Sequence, residues 1–162
     1  MNKIIIHWTG GGWFPNATDK EHYHFLIDKN GKVINGKFKV EDNENCNDGK
    51  YAAHCGGGNT GAIGVSMCGM YGFKNSKAVG SYPLTKTQCE ACFKLVAELC
   101  KKYNIKITPQ TVLTHYEFGL AHPKTSSAGK IDIIHLPAYN NIKQLEIGNF
   151  IRNKVKWYIN KI

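Results

Sequence analysis

The sequence predicts one α/β domain, in which helices flank a mixed central β-sheet. A buried central strand is predicted over residues 3–8, because three consecutive isoleucines precede a turn signal of three glycines at 10–12. An Asn-Gly pair between two further strand patterns predicts an antiparallel hairpin. A long amphipathic pattern that starts at Thr85 predicts a helical crossover. Hairpin and crossover connections in one chain indicate a mixed sheet.

The predicted hairpin consists of residues 23–28 and 32–35. Apolar and polar residues alternate in the first segment, which places Tyr23 and His24 on opposite faces of the strand. Asn30-Gly31 lies between the two segments, and this dipeptide is a strong hairpin signal. The second segment is therefore expected to pair back onto the first.

The middle of the chain predicts a long loop, a short strand and the start of a helix. Residues 41–60 are polar and rich in Gly and Asn, whereas residues 62–67 are apolar. A loop over residues 69–83 leads to a helix that begins at Thr85. Gln88, three residues further on, completes a capping box.

The apolar residues of this helix have the spacing of one buried face, and Asn104 is the expected C-terminal stop. Three of the six cysteines lie on that face, where thiols serve as small core hydrophobes. Cys89 and Cys92 have the spacing of half a zinc knuckle, but no second pair follows. The other three cysteines lie in loops or at strand ends, and one disulfide among them is an alternative to free thiols: Cys46, Cys55 and Cys68.

The last third of the chain predicts one more strand and one more helix. Residues 112–114 form a strand that ends at His115, and residues 121–129 form a loop. A basic amphipathic helix is predicted over residues 142–160. It either packs on the domain or binds a membrane surface as an antimicrobial segment does, and we expect packing. Residues 1–162 are then a single domain.

Composition and charge exclude several classes of protein. The 162 residues are 42% hydrophobic and 20% charged, unlike a disordered chain. No segment has the roughly 20 consecutive apolar residues of a transmembrane helix. The first residues lack the apolar stretch of a signal peptide, so we expect synthesis in the cytoplasm without a Sec signal.

The net charge of +9 has two interpretations, a solvated basic surface or a diffuse affinity for polyanions. Arg152 is the only arginine. Lysine cannot make the bidentate fork that commonly recognises guanine. We therefore expect no specific nucleic-acid partner.

Residues that suit metal chemistry stand where two predicted strands end. His7 ends the first strand and His115 a later one, and strand ends meet at one edge of an α/β sheet. In an extended segment Lys130 and Asp132 point to the same side. Two histidines and a carboxylate leave the fourth position of a catalytic zinc open for water, whose pKa zinc lowers to about 7. Lys130 would stabilise the oxyanion that forms when hydroxide attacks a carbonyl.

Several short motifs, in this order, resemble one family. They are Ile-Ile-Ile-His-Trp-Thr at 4–9, His-Tyr-His-Phe-Leu-Ile-Asp-Lys-Asn-Gly at 22–31, Ala-His at 53–54 with Asn59 and Ile-Gly-Val at 63–65, Leu-Thr-His at 113–115, and Lys130-x-Asp132. From residue 4 to about 137 the chain resembles the zinc-dependent N-acetylmuramoyl-L-alanine amidases. That family includes phage lysins, a cytosolic wall-recycling amidase and the animal peptidoglycan recognition proteins, whose fold the resemblance implies here.

The resemblance also implies the roles of individual residues. One Zn²⁺ would be held by His7, His115 and Asp132. Lys130 would lie beside the metal, and Tyr23 would assist the water or the oxyanion. The substrate side of the pocket would include His54 and Asn59. Trp8, beside the first ligand, is either a subsite residue or a packing residue.

The implied activity is hydrolysis of the amide bond between N-acetylmuramic acid and L-alanine in bacterial peptidoglycan or a muropeptide. We expect a monomeric phage- or prophage-type endolysin that reaches the cell wall during host lysis. A non-catalytic peptidoglycan-binding module and a cytosolic muropeptide-recycling amidase are the alternatives. One departure concerns residues 10–21, which alone separate the first two strands where many relatives hold a helix. This short connection predicts a lower rim of the substrate groove.

Overall fold

A computed structural model describes all 162 residues of the chain. Five strands form one sheet: β1 Lys3–Trp8, β2 Phe25–Ile27, β3 Val33–Asn35, β4 Ala62–Met67 and β5 Val112–Thr114. Four α-helices accompany it: α1 Ala17–His22, α2 Lys86–Tyr103, α3 His115–Ala121 and α4 Ile147–Ile159. Two short 3-10 helices cover Val40–Glu44 and Gln144–Glu146.

The strands lie in the order β3-β2-β4-β1-β5. Strand β1 pairs in parallel with both β4 and β5, and β4 pairs in parallel with β2. Only β3 runs antiparallel, as the hairpin partner of β2. The prediction of a mixed sheet flanked by helices is confirmed.

The two faces of β1 serve different purposes. Ile4 and Ile6 belong to the main apolar core, to which α2 and α4 contribute. Ile5 belongs to a smaller cluster that includes Phe118 of α3. His7 shares the face of Ile5, because side chains alternate along a strand. The layer of α2 and α4 therefore supports the sheet from the side opposite His7.

The connection between β1 and β2 contains a short helix, α1, despite its small length. The Asn16 side chain accepts from the Asp19 N–H, and the Asp19 carboxylate accepts from the Asn16 N–H, so a capping box starts the helix. The Tyr23 N–H donates to the Asp19 carbonyl and ends it. Because the backbone of Tyr23 closes α1, β2 begins at Phe25, and the predicted strand start at residue 23 is wrong.

The ends of the other helices follow the local sequence to different degrees. The capping box of Thr85 and Gln88 starts α2, and Asn104 ends it in the left-handed conformation with φ of 54°, as predicted. Helix α3 lies outside the predicted elements. Helix α4 begins at Ile147, later than predicted, because residues 142 and 143 are irregular and Gln144–Glu146 form a 3-10 helix.

The cysteines and α4 pack as expected. All six cysteines are free thiols, so no disulfide forms among the three outside α2. The three on α2 are buried in the core: Cys89, Cys92 and Cys100. Three residues on the apolar face of α4 are buried in the main core: Ile147, Ile151 and Val155. None of the helices combines the length and the apolarity that a bilayer span requires.

Candidate metal centre

Two histidines meet at the carboxyl edge of the sheet. His7 is the second-last residue of β1, and His115 follows directly after β5. Because β1 and β5 are parallel neighbours, both histidines reach the same edge. Their ring centroids lie 4.7 Å apart, and both side chains are buried.

Asp132 completes the cluster from the loop that follows α3. Its carboxylate oxygens lie 2.8 Å from His7 Nδ1 and 3.2 Å from His115 Nδ1. The Tyr116 N–H donates to the Asp132 carbonyl oxygen, which ties this loop to the first turn of α3. One ligand atom from each of the three residues lies within 4.8 Å of the other two. The three residues could therefore hold a metal ion.

The partners of His54 determine which nitrogen of His7 carries a hydrogen. His54 Nε2 lies 3.3 Å from the Ala62 carbonyl oxygen, which can only accept, so this nitrogen is the donor. Burial holds the pKa of His54 well below its ordinary value, and neighbouring His7 adds to the effect, so the ring is neutral and its Nδ1 accepts. His7 Nε2 lies 3.0 Å away and donates to it. The nitrogen that His7 turns toward Asp132 is consequently Nδ1.

Ser127 has the same effect on His115. The Ser127 hydroxyl donates to the Gly56 carbonyl over 2.7 Å, so its oxygen accepts from His115 Nε2 at 2.9 Å. Metal-binding histidines usually donate their second ring nitrogen in this way. His115 therefore also turns Nδ1 toward Asp132.

The cluster holds too few hydrogens for its acceptors. Burial lowers the pKa of His7, so its Nδ1 carries no proton at neutral pH. Burial also opposes charge on His115, but contacts with Asp132 and Cys55 raise its pKa to about 9. The contacts with both histidines lower the pKa of Asp132 despite its burial. A single proton thus lies among three ligand atoms, whereas a metal ion would displace it and accept an electron pair from each of them. Imidazole nitrogens and a carboxylate are ligands that suit zinc.

The cluster opens onto a cavity of about 500 Å³. His115 and Asp132 line this cavity, whereas His7 lies behind them and is fully buried. The remaining residues that the sequence indicated as site residues also line it: Trp8, Tyr23, His54, Asn59 and Lys130. Tertiary packing therefore brings all of the indicated residues together.

Two of these residues suit contact with a polar reacting group. The Tyr23 ring lies 5.1 Å from the His7 ring, centroid to centroid. Burial raises the pKa of Tyr23, and the Asp132 carboxylate raises it further, so the phenol keeps its proton and can donate. Lys130 is exposed and forms no ion pair, which leaves its ammonium group available.

Asn59 and Trp8 have structural contacts besides their place in the cavity wall. Asn59 Oδ1 accepts from the N–H groups of His54 and Cys55 and so holds the segment that carries His54. Trp8 is only 6% exposed, and its ring packs on Phe73 with centroids 5.1 Å apart. Their contacts with substrate stay predictions.

His24 lies near this cluster but belongs to the scaffold. Its Nε2 donates to Asn43 Oδ1 over 3.0 Å, and its Nδ1 accepts from the Gly64 N–H over 2.9 Å. Both ring nitrogens are therefore used within the protein. Neither is available to a ligand.

Three further residues belong to the site without having been indicated by the sequence. Ser127 orients His115. It follows Thr125 and Ser126, and no sequence motif distinguishes it from these two neighbours. Ser66 lies opposite His7 in the β1–β4 register, and its side chain is fully buried. Glu117 contacts the turn before His115, and the Thr114-x-x-Glu117 capping-box pattern was the available signal.

The protein is thus a mixed α/β domain with a buried His/His/Asp set at the carboxyl edge of its parallel strands. The family model for N-acetylmuramoyl-L-alanine amidase matches residues 1–131, and the chain belongs to this family. The match ends one position before Asp132 and does not include α4.

Solved structures resemble the fold over most of the chain. N-acetylmuramoyl-L-alanine amidase LysC from Clostridium intestinale URNW has a TM-score of 0.57 at 19% identity, covering 96% of this chain and 85% of its own. Bumblebee PGRP-SA has a TM-score of 0.50 at 16% identity, covering 79% of this chain and 76% of its own. No curated protein sequence matches at a significant level. The likeness confirms the predicted fold.

Proposed function

We propose that this protein is a zinc-dependent amidase that cleaves the bond between N-acetylmuramic acid and L-alanine in peptidoglycan. The observation that carries the proposal is the convergence of His7 Nδ1, His115 Nδ1 and the Asp132 carboxylate. A module that only binds peptidoglycan has no need of such a set. Membership in the amidase family supplies the substrate class.

His7, His115 and Asp132 would hold the zinc ion. When bound, zinc supplies a Lewis acid for the amide carbonyl and a water of lowered pKa. His54 and Ser127 keep the two imidazoles in the tautomer that leaves Nδ1 free.

Tyr23 and Lys130 would act on the carbonyl oxygen of the substrate. That oxygen gains negative charge as the tetrahedral intermediate forms, so a phenol and an ammonium group bind it more strongly in the transition state than in the ground state. The raised pKa of Tyr23 keeps this donor protonated. Lys130 has no competing carboxylate partner.

The cavity suits the junction of a sugar and a peptide. Its volume of about 500 Å³ falls within the usual range of ligand sites. Polar residues make up most of its lining. We assign the substrate wall to His54, Asn59 and the exposed edge of Trp8.

The biological setting that we propose is lysis of a bacterial cell wall by a monomeric phage- or prophage-type endolysin. The residues 1–162 would form its catalytic domain. A recycling enzyme in the cytoplasm would use the same chemistry on soluble muropeptides, so the substrate distinguishes the two settings.

The test is hydrolysis of purified peptidoglycan, followed as newly exposed alanine amino groups, with and without a chelator. We expect alanine N-termini that disappear with chelator and return with zinc. Release that persists in chelator would contradict the metal-dependent mechanism. Release from soluble muropeptides alone would identify a recycling amidase, and wall binding without release would identify a binding module.

A further inference from the structure

Arg152 on α4 forms a bidentate ion pair with Glu117 on α3, close to the metal centre. Its Nη1 and Nη2 donate to Glu117 Oε1 and Oε2 over 3.0 and 2.9 Å. The Arg152 side chain is 7% exposed and the Glu117 side chain 24%, so the guanidinium is buried and the carboxylate is partly shielded from water. The planar guanidinium fork suits this geometry, which a lysine cannot reproduce. The only arginine of the chain therefore occupies a position at which both guanidinium nitrogens contact one carboxylate.

Glu117 connects this ion pair to His115. The Thr114 N–H donates to Glu117 Oε1 over 3.0 Å, and the Glu117 N–H donates to Thr114 Oγ1 over 3.1 Å. This capping box forms the turn at which β5 becomes α3. His115, the first residue of α3, lies inside this turn, between Thr114 and Glu117, so the turn sets the direction in which its ring leaves the backbone.

The same turn also affects Asp132. Tyr116, the second residue of α3, donates its N–H to the Asp132 carbonyl oxygen. A shift of the start of α3 would therefore move two of the three metal ligands together. Arg152 Nη1 also donates to the Val112 carbonyl over 3.0 Å, which fixes α4 to the strand before the turn.

The surface of α4 is shaped to receive the Glu117 carboxylate. A Cβ atom at Gly148 would lie 2.2 to 2.3 Å from the Glu117 carboxyl carbon and oxygens. Any side chain at position 148 would displace this carboxylate. Asn149 Oδ1 accepts from Arg152 Nη2 over 2.8 Å and holds the other side of the fork.

We propose that Arg152, acting through Glu117, is a positioning residue for the metal ligand His115. Helix α4 then belongs to the working metal centre, although it lies outside the residues that the family model matches. This inference rests on the proposed function, because its consequence is the affinity of the centre for zinc.

The test compares variants of the full chain by zinc affinity, measured by competition with a chromophoric chelator. Arg152→Lys keeps the positive charge but cannot make the bidentate contact with Glu117. Gly148→Ala places a methyl group in the space that the Glu117 carboxylate occupies. We expect zinc binding about 10- to 100-fold weaker in each, as for other groups that orient metal ligands. Lys154→Met is the matched control, because it breaks the other ion pair of α4, with Glu90 at 3.0 Å, away from the centre. Its zinc affinity should equal that of the unmodified protein.

Thermal unfolding of the metal-free variants separates positioning from stability. A purely structural role would lower the melting temperature and leave zinc affinity unchanged, and this result in Arg152→Lys would overturn the proposal. A double variant, Arg152→Met with Glu117→Gln, avoids an unpaired buried charge and is expected to fold while still binding zinc weakly. If the unmodified protein binds no zinc, the proposed function fails as well. If it binds zinc and the variants bind equally, only this inference fails.

Discussion

His54 Nδ1 lies 3.0 Å from His7 Nε2, and this contact leaves Nδ1 as the nitrogen that His7 can offer to a metal. The chain of donors continues from His54 Nε2 to the Ala62 carbonyl oxygen. A backbone carbonyl on β4 thereby determines the tautomer of a side chain on β1. The sequence indicates His54 as a residue of the substrate wall, and the contact adds an orienting role.

Replacing His54 tests this orienting role. We expect His54→Ala to bind zinc about 10- to 100-fold more weakly, because His7 loses the acceptor for its Nε2–H. Titration with a competing chelator measures the effect. His22→Ala is the control, since exposed His22 lines the same cavity, but its side-chain hydrogen bond goes to the Ala53 carbonyl oxygen and not to His7 or Asp132. Unchanged affinity in His54→Ala would limit His54 to the substrate wall.

Gly64 provides the space for the His54 ring. A Cβ at Gly64 would lie 2.6 Å from His54 Cγ, so a methyl group there must push the ring away. We expect Gly64→Ala to reduce the free energy of unfolding by about 1–3 kcal/mol, as other overpacking substitutions do. Urea denaturation of the metal-free protein measures this change. Gly12→Ala, whose Cβ would meet nothing closer than 3.8 Å, should leave it nearly unchanged.

Removing the carboxylate should remove the metal. In Asp132→Ala the two imidazoles would remain without the anionic ligand that lies 2.8 Å from His7 Nδ1. We expect no zinc after dialysis, measured by elemental analysis, and no amidase activity. Full zinc occupancy in this variant would show that Asp132 is not a ligand.

Lys130 should affect turnover and leave metal binding unchanged. We expect Lys130→Ala to lower kcat by about 10²- to 10³-fold, the usual effect of removing an oxyanion donor. Zinc content should remain that of the unmodified protein. Lys124→Ala, which removes an exposed lysine of the same loop, is the control. Near-full activity of Lys130→Ala would exclude the proposed role.

The stability of the metal-free protein should depend on pH through His115. Its pKa rises from the ordinary 6.5 to about 9 in the folded protein. The folded state therefore binds this proton more tightly than the unfolded chain, and the stabilisation is complete below pH 6.5 and disappears as the pH rises toward 9. Urea denaturation across this interval should show a decline in the metal-free protein. Zinc-loaded protein should lack this decline, because zinc displaces the proton.

Local patterns in the sequence indicated much of the fold. The isoleucines of β1 and the capping box of Thr85 and Gln88 produce the predicted elements, because each depends on neighbours within a few residues. The prediction was wrong at residue 23, where the competing cap of α1 uses the backbone of Tyr23. Helix α3 had a capping-box signal, but its seven residues are too few for a clear amphipathic pattern.

Local patterns place His7 and His115 at the ends of strands, and therefore at one edge of the sheet. Asp132 is separated from His7 by 125 positions, and it comes within 2.8 Å of His7 through packing that no local pattern encodes. The tautomers set by His54 and Ser127 and the fork of Arg152 behind His115 also depend on packing between distant segments. Periodicity records the burial of a residue, because burial repeats along a helix or strand. It carries no information on which distant side chain a buried polar atom will meet, since that depends on how the elements pack.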